Sequence, residues 1–113
     1  MSWVKLGDEF PMHPKVLRVG PTGLALFVSG LCYSSRYLTD GVIETSVIGT
    51  LLPISRGQLK TTVNALVAAG LWELHPCGFQ VHDYLEYQPS KDATLKKRAE
   101  DLARKNGGKV KNS

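Results

Sequence analysis

The clearest pattern of apolar and polar positions spans residues 53–70, with the sequence PISRGQLKTTVNALVAAG. Its apolar side chains recur every three or four residues, the spacing that places them on one face of an α-helix. They are Leu59, Val63, Leu66 and Val67. The opposite face is polar, so the pattern predicts a helix with one buried side and one side in solvent.

Both ends of this helix carry capping signals. Ser55 is a favoured N-cap residue, because its hydroxyl can accept a hydrogen bond from an unpaired amide of the first turn. Gln58 can return a bond to the Ser55 amide and complete a capping box. Gly70 follows the last turn and suits the left-handed closing position. We therefore expect a well-defined helix between Ser55 and Gly70.

The N-terminal part of the chain predicts an arm followed by a buried helix. Residues 2–6 alternate and predict a short strand or an extended arm, with Trp3 as an anchor in the core. Pro21–Tyr37 is the most apolar segment and predicts a mostly buried central helix. Cys32 lies within its apolar pattern and is expected to be a buried thiol.

A short strand and a short helix are predicted immediately before residue 53. A turn signal at Thr39-Asp40-Gly41 precedes a very short strand at Val42-Ile43. Residues 47–52 then have amphipathic spacing, and Pro53 ends that pattern. A tight turn of three or four residues would join this helix to the next, as in a helix-turn-helix whose second helix reads DNA.

After Gly70 the period changes from helical to alternating. Residues 71–74 and 79–82 predict two strands, and His75–Gly78 predicts the hairpin loop between them. A helix-turn-helix followed at once by a hairpin is the order of a winged helix. The predicted fold is therefore mainly α with a small β-sheet: a winged helix-turn-helix with a helical core, a β-hairpin wing and a C-terminal helix.

The C-terminal residues predict one solvated helix and a tail. Ser90 is a suitable N-cap for a helix over Lys91–Asn106, and Gly107-Gly108 would end it. Its thin apolar stripe consists of Leu95, Ala99, Leu102 and Ala103. We expect a domain over residues 1–89, a basic amphipathic helix over 90–106 and a disordered tail over 107–113.

Length and charge limit the classes of protein that fit. The 113 residues suit one small domain, and no apolar run reaches the about 20 residues needed to cross a bilayer. Residues 1–89 hold six basic and seven acidic side chains, whereas residues 90–113 hold eight and three, which gives the net charge of +4. A basic tail is a common electrostatic contact for nucleic acid, although such charges also keep an exposed helix soluble.

Several stretches resemble a family of small winged-helix proteins of phages and prophages. They are the opening WVKLGDEFPMHPKVLRVG, the run LTDGVI, the helix ending in LVAAGLWE, and the closing GFQVHDYLEYQPS. The resemblance covers about residues 2–90. It implies either the N-terminal DNA-binding part of a phage replisome organiser or a stand-alone helix-turn-helix protein, in the cytoplasm of a bacterial host. A replisome organiser of this type has a further domain, whereas this chain stops after one helix and a tail.

The polar face of the 55–69 helix carries side chains that read bases or hold phosphates in the major groove. Gln58 and Asn64 can pair with adenine, Arg56 with guanine or a phosphate, and Lys60 with a phosphate. The predicted contacts to double-stranded DNA are Ser55, Arg56, Gln58, Lys60, Thr61 and Asn64, with Lys97, Arg98, Arg104 and Lys105 from the tail. The expected activity is binding in replication initiation or transcription regulation, without catalysis and without a cofactor.

Two alternatives are open at this point. The predicted wing has no Lys or Arg, and the body is near neutral, which favours a protein-interaction module that binds a host protein or dimerises through Leu95 and Leu102. His75, Cys77, His82 and Asp83 are close in sequence but match no closed zinc motif, so we expect no metal. No phosphate-binding loop or nucleophile motif is present in the sequence.

Overall fold

The computed structural model describes residues 3–88 and 90–111. A single 3-10 turn at Phe10–Met12 precedes helix α1, and five helices and three strands follow one another in the order α1-β1-α2-α3-β2-β3-α4-α5 over these residues. The helices are α1 (Pro14–Tyr37), α2 (Thr45–Ile48), α3 (Arg56–Ala68), α4 (Tyr84–Tyr87) and α5 (Lys91–Lys111). The strands are β1 (Val42–Glu44), β2 (Trp72–His75) and β3 (Gly78–Val81).

The three strands form one small antiparallel sheet in the order β1-β3-β2. Ile43 of β1 lies opposite Phe79 of β3, and Trp72 of β2 lies opposite Val81. The sequence-based prediction of a mainly helical chain with a small sheet and a C-terminal helix is confirmed. The sequence predicted β1 from only two apolar residues, and this strand is the third strand of the sheet.

The core lies where α1 meets α3 and the sheet. Leu26 of α1, Ile43 of β1 and Leu66 of α3 are each fully buried around Trp72. Gly30 of α1 makes this contact possible, because a Cβ there would lie 2.8 Å from Ile43 Cδ1 and 3.0 Å from Trp72 Cζ2. The absence of a side chain at this position therefore lets the sheet approach the helix.

The prediction of which α1 face is buried was partly wrong. Phe27 and Leu31 are buried, which fits the predicted central helix, but Cys32, expected to be a buried thiol, is exposed. The buried face follows small residues as well as apolar ones, since Gly30 and Ser34 belong to it. An apolar pattern alone does not show that small residues such as these form the buried face, so the prediction of a buried Cys32 was wrong.

Helix α1 is interrupted at Gly20, whose φ of 76° and ψ of −177° are not helical. Pro21 follows, and the residue before a proline is disfavoured in the helical region. By length and mean hydropathy alone, the 24 residues of Pro14–Tyr37 are sufficient to cross a membrane, although they are not an uninterrupted apolar run of the kind sought in the sequence. A core helix passes the same test, and this one packs against α3 and β1.

The N-terminal arm is held by a side chain from the far end of the body. The Lys5 amide donates to Gln88 Oε1 at 2.8 Å, and Gln88 Nε2 donates to the Lys5 carbonyl. Gln88 is buried, and its side chain is the partner of both backbone groups of Lys5. The arm is not a strand, and Val4 packs on the core whereas Trp3 is 80% exposed. The predicted role of Trp3 as a core anchor is therefore wrong.

Replacing Gln88 by alanine should detach this arm. It leaves a partly buried N–H and C=O without partners, which costs about 1–3 kcal/mol of unfolding free energy. Urea unfolding measures the loss, and amide hydrogen exchange at Lys5 should become faster. Gln88→Glu is the comparison variant: it keeps an acceptor for the Lys5 amide, but it places a charged oxygen beside the Lys5 carbonyl at a buried position, so it should also lose stability. A stability equal to wild type in Gln88→Ala would contradict the clamp.

Tyr84 gives the fold a dependence on alkaline pH. Burial, with a smaller contribution from the nearby carboxylate of Asp40, raises the pKa of Tyr84 above its ordinary value. The folded chain then holds this proton more tightly than the unfolded chain, so the free energy of unfolding falls as the pH rises above about 10. Urea midpoints between pH 8 and 11 should fall in wild type and fall less in Tyr84→Phe. Equal slopes for the two proteins would contradict this assignment.

Helix α5 extends further than the sequence predicted. It was expected to end at Asn106 before a disordered tail, but the helix continues to Lys111 through Gly107 and Gly108. Glycine lowers helix stability by only about 1 kcal/mol per residue, and no proline follows, so two glycines do not force an end.

Candidate nucleic-acid interface

Helix α3 is bounded by the hydrogen bonds that the sequence predicted. Ser55 Oγ accepts from the Gln58 amide at 3.2 Å, and the Ser55 amide donates to Gln58 Oε1 at 3.5 Å, which completes the capping box. At the other end Gly70 has a φ of 79°, and the Leu71 amide donates to the Leu66 carbonyl at 3.0 Å. This is the Schellman closure, in which the left-handed residue suits glycine.

One side of α3 is buried and the other lies in solvent. Thr62, Val63 and Leu66 are buried against the body. The exposed residues on the other side include Arg56, Gln58, Lys60, Thr61 and Asn64. No Asp or Glu occurs anywhere in α3, so this exposed face is uniformly neutral or positive.

Two of these side chains already have hydrogen-bond partners within the helix. Gln58 is engaged in the capping box, and Thr61 Oγ1 donates to the Gly57 carbonyl at 3.0 Å. Ser55 is likewise occupied as the N-cap. Arg56, Lys60 and Asn64 are therefore the predicted contact residues of α3 whose polar groups are free within the described structure.

The connection between α2 and α3 differs from the predicted tight turn. Helix α2 ends at Ile48, four residues earlier than the apolar pattern suggested, and α3 begins at Arg56. Thr50 explains the early end, because its amide and its hydroxyl both donate to the Val47 carbonyl, at 2.8 and 2.6 Å. That carbonyl is then unavailable for the next helical bond, and the chain leaves the helix.

The hairpin that follows α3 is short and uncharged at its tip. His75 pairs with Gly78, so Pro76 and Cys77 alone form the turn, instead of the four residues predicted. The Thr45 amide donates to the Cys77 carbonyl at 3.2 Å and holds the tip against α2. Leu74 is 78% exposed on this hairpin, a feature the sequence reasoning did not single out. Alternation places Leu74 on the same face as buried Trp72, so the sequence pattern contained no signal of its exposure.

The histidines near the hairpin make local contacts and do not converge. His75 Nδ1 accepts from the Cys77 amide at 3.1 Å. His82 Nδ1 lies 2.5 Å from Glu73 Oε1, and its Nε2 lies 3.0 Å from Asp83 Oδ2, so both ring nitrogens have partners. Within residues 3–88 and 90–111, no group of three or more such side chains is arranged to hold a metal ion.

The cations predicted from the tail lie away from the α3 face. Lys97 and Arg98 of α5 line a groove against the N-terminal arm and the end of α1. Arg104 is paired with Asp101 at 2.5 Å. The side chain of Lys105 lies outside the described part of the chain. None of the residues that line this groove belongs to α3, so the predicted site divides into two surfaces.

Comparison of the chain with protein-family models, with curated proteins and with solved structures found no match.

Proposed function

We propose that this protein binds double-stranded DNA through the exposed face of α3, as a winged helix-turn-helix domain. Arg56 and Lys60 would hold phosphates or a guanine edge, and Asn64 would contact a base edge in the major groove. The observation that carries the proposal is the exposed face of α3, which offers donors and cations and no carboxylate. A carboxylate-free helix face of this kind suits the negative surface of a duplex.

The order of the elements supports the same proposal. A helix, a strand, two helices and a hairpin follow one another as in a winged helix, and the hairpin pairs with β1 to complete a three-stranded sheet. In that architecture the helix before the hairpin lies in the major groove. The longer α2–α3 connection is a departure from the shortest helix-turn-helix. It leaves the exposed face of α3 uncovered.

The hairpin would contribute little to this affinity. Phosphate contacts normally come from Lys or Arg, and the turn at Pro76-Cys77 contains neither. We therefore assign the duplex contact to α3 and expect modest affinity. The resemblance of residues 2–90 to phage and prophage proteins supports a role in replication initiation or transcription regulation in the bacterial cytoplasm.

A second candidate, a protein-binding role, is favoured by the orientation of α5. Its side toward the body carries Thr94, Lys97 and Asp101, whereas Leu95 and Leu102 are 43% and 61% exposed. An apolar stripe that faces away from its own domain suits a partner helix. Lys96 and Arg98 flank this stripe, so it suits a partner helix with acidic side chains beside its own apolar stripe.

Fluorescence anisotropy with a labelled duplex of random sequence separates the two candidates. A DNA-binding protein should bind it, and the affinity should fall by about tenfold or more between about 50 and 200 mM salt if at least two phosphates are contacted. A protein-binding module without DNA contact gives no salt-sensitive change in anisotropy. That result would reject duplex binding and leave the α5 stripe as the functional surface.

A further inference from the structure

A groove of about 340 Å³ lies between the N-terminal arm, the end of α1 and the first turns of α5. Trp3 and Lys5 of the arm form one wall, and Lys97 and Arg98 of α5 form the other. Its volume lies within the usual range of about 300–1,000 Å³ for small-ligand sites. None of its lining residues belongs to α3. It is therefore a separate surface from the proposed duplex contact.

The groove is positively charged. Lys5, Lys91, Lys97 and Arg98 line it, and none of them forms an ion pair with any side chain that the structure describes. Two carboxylates also line the groove, against four cations, and each accepts a hydrogen bond from a group other than these four cationic side chains. Asp40 Oδ1 accepts from the Lys91 amide at 2.6 Å, and Asp101 Oδ1 accepts from Arg104 at 2.5 Å. The cations are consequently available to an anionic ligand.

Trp3 adds an aromatic surface to this charge. Its side chain is 80% exposed, although the arm is fixed two residues later by both hydrogen bonds between Lys5 and Gln88. The indole is thus held at the rim of the groove with its faces open to solvent. An exposed aromatic ring beside several cations is the arrangement with which proteins bind unpaired bases and their phosphates.

We propose that this groove binds a segment of single-stranded nucleic acid. One base stacks on the Trp3 indole, and the adjacent phosphates contact Lys5, Lys97 and Arg98. A duplex is a poorer ligand, because its bases are stacked on one another and present no free face to the ring. An acidic peptide would use the cations but gains no base stacking on the indole. The combination of ring and cations therefore favours the single strand.

The two tryptophans allow a direct test on the full chain. Trp72 is 1% exposed and Trp3 is 80% exposed, so quenching of tryptophan fluorescence by an added ligand reports on Trp3. We expect an oligothymidine of about ten nucleotides, within the usual site sizes of 4–16, to quench this emission saturably. A matched duplex and a poly-glutamate chain should quench it much less.

Variants measured with a labelled oligothymidine by anisotropy identify the contacts. Trp3→Ala should weaken binding by about tenfold or more, since stacking of one base has that effect, and Trp3→Phe should keep most of the affinity. Lys97→Ala/Arg98→Ala should reduce the salt slope by about 1.4, because each phosphate contact to a single strand contributes about 0.7. Lys96→Ala is the control, since this neighbouring cation does not line the groove.

Three results would overturn the proposal. The first is oligothymidine binding that Trp3→Ala leaves unchanged. The second is quenching by the duplex or by poly-glutamate that equals the quenching by oligothymidine. The third is an effect of Lys96→Ala on oligothymidine binding that equals the effect of Lys97→Ala/Arg98→Ala. Failure here is distinct from failure of the duplex proposal. Arg56→Ala/Lys60→Ala should leave oligothymidine binding unchanged, and Trp3→Ala should leave duplex binding by α3 unchanged.

Discussion

Replacing Trp72 by alanine is expected to lower the free energy of unfolding by about 3–5 kcal/mol. The indole is 1% exposed, and it packs against Phe79 with ring centroids 5.8 Å apart. It also occupies the space that Gly30 leaves open between α1 and the sheet. Its removal leaves a cavity at the junction of α1 and β2, which rigid secondary structure cannot close. The free energy of unfolding of a small domain is about 5–15 kcal/mol in total, so the variant should be only marginally folded.

Trp72→Phe is the matched control for this loss. It keeps an aromatic ring in the same space and removes Trp72 Nε1, a buried donor with no hydrogen-bond partner in the described structure. Removing an unsatisfied buried N–H offsets part of the lost packing, so we expect a cost well below that of alanine. Urea unfolding followed by far-UV circular dichroism measures both variants. A Trp72→Ala midpoint close to that of wild type would show that the core is not centred on this residue.

Replacing Thr61 by glutamate should abolish duplex binding while the fold is kept. Thr61 is exposed near the middle of α3, so a carboxylate there would face the phosphates of a bound duplex. Like charges in contact cost several kcal/mol, which corresponds to a loss of affinity of about a hundredfold or more. Glutamate has the higher helix propensity of the two residues, so thermal stability should not fall.

Ala25→Glu is the control for net charge, since Ala25 is exposed on α1 and the substitution changes the charge of the protein by the same amount. It should leave duplex affinity within about threefold of wild type, because a single distant charge is largely screened. If both glutamate variants bind equally well, the α3 face does not contact DNA. If both lose affinity equally, only net charge matters.

Local signals in the sequence predicted α3 well and α1 less well. Ser55, Gln58 and Gly70 each specify a backbone hydrogen bond or a positive φ within a few residues, and these features appear as expected. The buried face of α1 depends instead on the distant partners of Gly30, which are Ile43 and Trp72. Such long-range packing is not encoded in the spacing of apolar residues along one helix.

The candidate surfaces show the same limit. The sequence identified the polar face of α3 from its periodicity alone, and it placed Lys97 and Arg98 only in a generally basic tail. They lie near Trp3 because Gln88 holds the N-terminal arm beside α5. It does so through hydrogen bonds to Lys5, which is 83 positions away in the sequence. An alternating pattern at residues 2–6 suggested a buried Trp3, because it could not indicate which of two neighbouring side chains meets the core.

The most direct measurement of the central claim, that α3 binds duplex DNA, is the salt dependence of duplex affinity in wild type and in Arg56→Ala/Lys60→Ala. Each phosphate contact contributes about 0.9 to the slope of log affinity against log salt concentration. We expect a slope that is shallower by up to about 1.8 in the double variant, together with weaker binding at low salt. Lys97→Ala/Arg98→Ala, measured on the same duplex, should keep the slope of wild type. An unchanged slope in the α3 variant, or a loss found only in the α5 variant, would contradict the account.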